Sequence, residues 1–194
     1  MVTTRNSRED VVTAAGRLFA ERGYHGTSMR DLGRELGLQG SSLYSHVSSK
    51  EDLLVEVIER GAERFQASAG RAMTASDDAK QQLRSLISGH IDVVLDHPDE
   101  VKTFLDEARS LEAPHRGQVI AARDAYEQTF RDVIGRGQAE GLYSPDIDPK
   151  VTAIFILSIL NATERWFDHS GPLDRDDLVT EITDFIERSM SRTP

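Results

Sequence analysis

Apolar residues recur at helical spacing almost from end to end of this chain, and no stretch sustains the period-two alternation of a half-buried strand. The reading that follows is an all-α fold. Val11, Ala14, Ala15, Leu18 and Phe19 stand at i, i+3, i+4, i+7 and i+8, one stripe of a first helix. Ser7-Arg8-Glu9-Asp10 opens it as a capping box, with Asp10 in place of the usual Glu, and Gly23 closes it. A second short helix begins after Thr27, turns Met29, Leu32, Gly33 and Leu36 inward, and breaks at Gly37. A third runs over roughly Ser41–Val47. Ser48-Ser49-Lys50-Glu51 caps a long fourth helix, about 49–71, with Leu54, Val57, Ile58, Gly61 and Phe65 on one side. Beyond the polar break at Ala75-Ser76-Asp77-Asp78, spacing and proline or glycine punctuation predict helices at about 79–96, 98–111, 115–141, 148–167 and 174–190. The expected architecture has about nine helices. A three-helix head covers residues 1–50, a helical body covers 51–194, and helix four connects them.

Charge divides the chain at the same place. The net charge is −10. Residues 1–50 carry seven Lys/Arg against five Asp/Glu, a net of +2, and residues 51–194 carry 16 against 28, a net of −12. A polyphosphate would be repelled by the body, so contact with nucleic acid is confined to the basic end. Cysteine is absent, which excludes disulfides and thiolate metal sites. The longest apolar run, Ala153–Leu157 with Ile159 and Leu160 beyond Ser158, is far short of the roughly 20 residues a bilayer requires. No apolar leader opens the chain, and a cytoplasmic location without membrane partners is expected.

Residues 27–47 hold two short helices around a tight turn containing Gly37 and Gly40, the arrangement of a helix-turn-helix, whose second helix must stand clear to enter the major groove. Leu43 and Val47, at i and i+4, pack inward. Ser41, Ser42, Tyr44, Ser45 and His46 are left on the outer side, where hydroxyls and an imidazole suit phosphate and base-edge contacts. Lys50, in the first turn of helix four, is placed to address a phosphate together with free backbone N–H groups. An ordinary three-helix bundle corner, with Tyr44 half-buried, is the structural alternative.

Three segments in order, Leu18–Leu32, Leu43-Tyr44-Ser45-His46 and Ser49–Leu54, resemble the N-terminal domain of TetR-family repressors over about residues 8–55. The resemblance implies an all-helical homodimer that binds a palindromic double-stranded operator and releases it on binding an inducer. It assigns DNA contact to Thr27, Ser28 and Arg30, to Gln39, Ser41, Ser42, Tyr44 and His46, and to Lys50. Two positions depart from the family pattern. Gln39 replaces the usual Ser or Thr cap and adds a side chain able to read adenine, and Val47 replaces Phe.

In the body, helix eight has little polar face (Ile154, Phe155, Leu157, Ile159, Leu160), and Leu178, Ile182, Phe185 and Ile186 stripe helix nine. Ile154, Leu157, Leu178, Ile182 and Phe185 are therefore expected in an isologous dimer interface, plain core being the alternative. An effector pocket is expected among Leu86, His90, Phe104, Ala108, Arg109, Tyr126, Phe130, Asn161, Arg165 and Trp166, a mostly apolar lining with polar anchors. Each anchor has a structural alternative: Asp106 or Glu107 pairing with Arg109, or Arg165 stacked on Trp166 at the surface. Asp106–Leu111, Arg123–Tyr126, Gly141–Asp146 and Arg165-Trp166-Phe167 resemble the sensor domains of acyl-CoA-responsive TetR repressors of lipid, sterol or phenylacetate catabolism. That resemblance implies a CoA thioester inducer with Arg165 as a CoA contact; a hydrophobic drug-like or aromatic inducer is the second reading. No catalytic constellation, cofactor or metal is expected. His90 and His97 lack a carboxylate at ligand spacing, and Gly135-Arg136-Gly137 follows no strand. A helical protein-binding adaptor is the reading from another class. In the expected mechanism, ligand binding in the body shifts helix four and moves the heads out of register with successive major grooves.

Overall fold

The computed structural model describes residues 7–168 and 170–191, except for the side chains at 40 and 41. Among these residues there are nine α-helices, one 3-10 turn and no strand. In order they are α1 (Arg8–Arg22), α2 (Met29–Glu35), α3 (Gly40–Leu43), α4 (Lys50–Ala75), α5 (Ala79–Asp96), α6 (Pro98–Asp106), the 3-10 turn Ala108–Ser110, α7 (Ala113–Ala139), α8 (Pro149–Trp166) and α9 (Arg175–Met190).

Local chemistry sets most boundaries. Ser7 and Asp10 form the expected reciprocal capping box on α1, and Gly23 leaves the helix at φ 74°, a conformation that glycine adopts without strain. Ser28 and Asp31 build a second box on α2. Asp148 caps α8 ahead of Pro149, and Asp174 caps α9. Two elements are shorter than the spacing predicts. The third helix stops at Leu43, and residues 44–46 continue as turn. The sixth stops at Asp106. The chain there tightens so that Ser110 Oγ donates to Glu107 Oε2 at 2.9 Å, three residues back, the spacing at which 3-10 side chains align.

The chain divides into two compact units, and not at residue 50. One holds the residues up to Glu63 together with His97–Ala121; the other holds Arg64–Asp96 and Ala122 onward. In the first, α6 lies along α1. Val11, Ala15, Leu18, Phe19, Leu32, Leu43, Leu54, Val57, Ile58 and Val101 form its core. Gly16 lets α4 approach: a Cβ there would stand 3.3 Å from Val57 Cγ1. Thr103 Oγ1 donates to Gly16 O at 3.4 Å, which fixes α6 across the same point.

In the second unit α5 is central and packs on α8 and α9. Leu83, Leu86, Ile87, Ile91 and Val94 from α5 meet Ala153, Ile156 and Leu160 from α8 and Leu178, Ile186 and Met190 from α9, all buried. Arg84 clasps Glu187 through two hydrogen bonds of 2.6 and 2.8 Å. The Gly141–Asp148 loop is riveted down. Gln138 Nε2 donates to the carbonyls of Ser144 and Ile147, and Ser144 N–H donates to Met190 O.

Candidate nucleic-acid interface and ligand site

The helix-turn-helix is assembled from short-range bonds. The Ser28 hydroxyl accepts Asp31 N–H at 3.2 Å, and the Asp31 carboxylate accepts from the Ser28 hydroxyl and from Ser28 N–H at 3.0 Å; the hydroxyl first, and then the N–H, hold the Asp31 carboxyl below its ordinary range. The turn after α2 is made by Gly37 at φ 64° and by Leu38 N–H donating to Gly33 O at 2.8 Å. Leu43 and Val47 face the core. Arg30, Gln39, Ser42 and Tyr44 are exposed, Tyr44 to 56%. Arg30 makes no ion pair among the described residues. His46 is half-buried, and its carbonyl accepts from Arg8 at 3.4 Å. Ser28 is exposed but committed to its cap. The side chain of Ser41 lies outside the described residues.

Two of the expected DNA contacts turn inward. Thr27 is 2% exposed, and its hydroxyl lies 3.1 Å from Leu18 O and 3.0 Å from Gly23 O. Lys50 Nζ donates to Tyr24 O and Thr27 O, both at 2.9 Å, and sits 4.0 Å above the Tyr24 ring. Two of its three N–H donors are thereby spent on the turn between α1 and α2. The reason is geometric: the start of α4 lies against that turn, so its ammonium meets backbone carbonyls. Glu107, which carried no functional expectation, holds the same turn from another side by accepting Tyr24 N–H at 3.1 Å. Its partner is 83 positions away, and no local pattern could have revealed the pair. Glu51 likewise accepts Glu112 N–H at 3.0 Å, and the bond keeps its carboxyl below the ordinary range.

In the body unit, four of the expected pocket residues come together. His90 is 2% exposed, with Nδ1 3.1 Å from Tyr126 OH and Nε2 3.2 Å from Asn161 Oδ1. Because Oδ1 can only accept, Nε2 carries the proton and Nδ1 receives the Tyr126 O–H. Phe65 and Phe130 complete the cluster, with ring centroids 4.6 Å from His90 and 5.5 Å from Tyr126 respectively. Burial pushes His90 down to about 3, against the Asn161 bond, and pushes Tyr126 up. The imidazole is therefore neutral at pH 7. Leu86, one turn earlier on α5, is buried.

The other pocket residues are elsewhere. Phe104, Ala108 and Arg109 belong to the head unit. There Phe104 lies beside Gly61, and Arg109 is exposed, with no ion pair to Asp106 or Glu107 among the described residues. Arg165 and Trp166 are exposed at the end of α8, Trp166 to 55%. The expected dimer residues also separate. Leu178 and Ile182 are buried in their own chain, because α9 turns that stripe onto α5. Ile154, Phe155 and Phe185 are exposed, Phe155 to 64%, and Leu157 partly so. Phe155 and Phe185, with Val151 and Ile159, line an apolar groove of about 640 Å³ along α8 and α9, whereas Ile154 and Leu157 lie outside it. Among the described residues no helix is long and apolar enough to cross a membrane.

A helix-turn-helix within a mildly basic first fifty residues, followed by an acidic helical remainder, is the layout of a one-component regulator. Residues 11–57 match the model of bacterial regulatory proteins of the tetR family, and residues 76–190 match that of the tetracyclin repressor-like C-terminal domain. The chain belongs to the TetR family of transcriptional regulators. It is 28% identical over 170 residues to the HTH-type transcriptional repressor KstR2 of Mycobacterium tuberculosis, covering 87% of this chain and 85% of that one. The crystal structure of PfmR from Thermus thermophilus superposes with a TM-score of 0.84 at 31% identity, over 94% and 99% of the two chains. AibR in complex with isovaleryl coenzyme A and operator DNA shares the fold, with a TM-score of 0.82 at 24% identity, over 94% and 97%.

Proposed function

We propose that the chain is a repressor that binds a palindromic DNA operator as a homodimer and is released by a small-molecule inducer, an acyl-CoA thioester being the leading class. The carrying observation is the outer face of α2 and α3. Arg30 on α2, Ser42 on α3, and Gln39 and Tyr44 on the turns flanking α3 are all exposed, while Leu32, Leu43 and Val47 of the same segment are buried. Such a face offers hydrogen-bonding groups on a rigid mount, which is what groove recognition needs. The apolar groove beside Phe155 and Phe185 supplies the second surface, since a two-fold interface requires one self-complementary patch. KstR2 is a repressor by name, and a fold neighbour holds isovaleryl coenzyme A together with its operator.

The test is fluorescence anisotropy on duplex DNA flanking the protein's own gene, across a salt series, with and without an acyl-CoA. A salt-sensitive specific complex that dissociates with acyl-CoA is expected. Arg30→Ala should lower the salt slope by roughly one and weaken binding. Lack of a specific complex sinks the reading; a complex indifferent to acyl-CoA but released by an aromatic compound replaces the inducer class.

A further inference from the structure

A cleft of about 540 Å³ runs between the C-terminal half of α4, α5 and α9 in the body unit. Five hydroxyl side chains line it: Ser68 on α4, Ser85 and Ser88 on α5, Thr180 and Thr183 on α9. Helical serine and threonine commonly bond back to the carbonyl one turn earlier. Thr74, Thr129, Ser158, Thr163 and Ser189 do so here. None of the five in the cleft does, and among the described residues none bonds any other protein group. Ser68 is 4% exposed and Thr183 7%, and both line the cleft, where their oxygens stay accessible to a bound molecule. Gly89 makes the arrangement possible: a Cβ at that position would stand 2.3 Å from Ser68 Oγ.

The charges on the rim narrow the occupant. Arg84 is committed to Glu187, Asp92 to Arg175 at 3.2 Å, and Asp184 faces Arg188 at 3.8 Å. Arg71 is exposed and makes no ion pair among the described residues. One free guanidinium beside two carboxylates accepts a single anionic group and opposes a polyanion. Hydroxyls both donate and accept, so the complement of a hydroxyl wall is another set of hydroxyls.

We propose that this cleft is a small-molecule site for a hydroxyl-rich molecule carrying one anionic group, a sugar acid or a sugar phosphate, with the anion on Arg71 and ligand hydroxyls on Ser68 and Thr183. Its lining shares no residue with the His90 cluster, and the site does not depend on the operator reading.

Isothermal titration of the full chain with gluconate, glucose 6-phosphate, glucose and inorganic phosphate tests it. Gluconate or glucose 6-phosphate should bind about tenfold or more tighter than glucose and phosphate, the worth of one charge-assisted hydrogen bond, and the tighter of the two identifies the anion. Arg71→Ala and Thr183→Val should each weaken that binding by about tenfold. As a check that needs no variant, amide resonances of Gly89 and Thr183 should shift on titration of the native protein. No binding by either polyol anion, equal binding by phosphate alone, affinity unchanged in both variants, or resonance shifts confined elsewhere would each overturn the proposal.

Discussion

Lys50 shows how a residue's role depends on what surrounds it in three dimensions. Position alone, in the first turn of a helix behind a DNA-reading motif, makes it a phosphate contact. The fold instead directs two of its N–H donors to Tyr24 O and Thr27 O and lays the ammonium on the Tyr24 ring. Hydrogen bonds to charged groups are worth about 1.5–3 kcal/mol. Lys50→Ala should cost stability of about that size in urea unfolding. Operator affinity should fall with it, while the salt slope changes less than in Arg30→Ala; a full unit of slope lost would restore Lys50 to the phosphate. Capping residues were legible because Ser7 with Asp10 and Ser28 with Asp31 act within one turn. The inward turn of the Thr27 hydroxyl and the role of Glu107 were not, since both depend on where distant backbone passes.

Among the described residues, periodicity located every helix, because an amphipathic stripe is a local record of which side is buried. It did not record lengths where stripe and turn chemistry compete, at α3 and at the end of α6. Nor did it show that α6 belongs with α1. That packing brings Glu107 to the loop ahead of α2, where it accepts Tyr24 N–H. Glu107→Ala should destabilise the chain by about 1–3 kcal/mol and weaken operator binding, whereas Glu107→Gln, which keeps an acceptor oxygen, should retain most of both. Denaturant melts and anisotropy on the three proteins decide it. Equal losses in the Ala and Gln variants would mean that the charge, and not the acceptor, is what matters.

For the molecule as a whole, the charge split between the first fifty residues and the rest was legible by counting, and all-helical architecture followed from the missing alternation; that the reader's compact unit also takes in the acidic stretches 51–63 and 97–121 was not. Which apolar stripe stays uncovered was not. Helix nine carries Leu178, Ile182 and Phe185 on one sequence pattern, yet the first two are spent inside the chain and the third is exposed. Of the expected dimer residues, Ile154 and Phe185 stay exposed, and Phe155, which was not among them, is exposed beside Phe185 along the groove. Phe155→Glu should convert a dimer to a monomer in sedimentation velocity and abolish operator binding, while leaving the helical content unchanged, because a charge in a desolvated patch has no partner. A Phe155→Glu protein that stays dimeric removes α8 from the interface.

The composite head bears on how such regulators exchange specificities. The stretch His97–Ala121 begins at the midpoint of the 194-residue chain but is built into the same unit as the reader. A chimera joined at residue 50 would part Tyr24 from its native Glu107 and would seat α1 against a foreign α6. Operator preference is thus inherited as two separated blocks, and a recombinant made with a single crossover has to find a compatible second block already present in its new host scaffold.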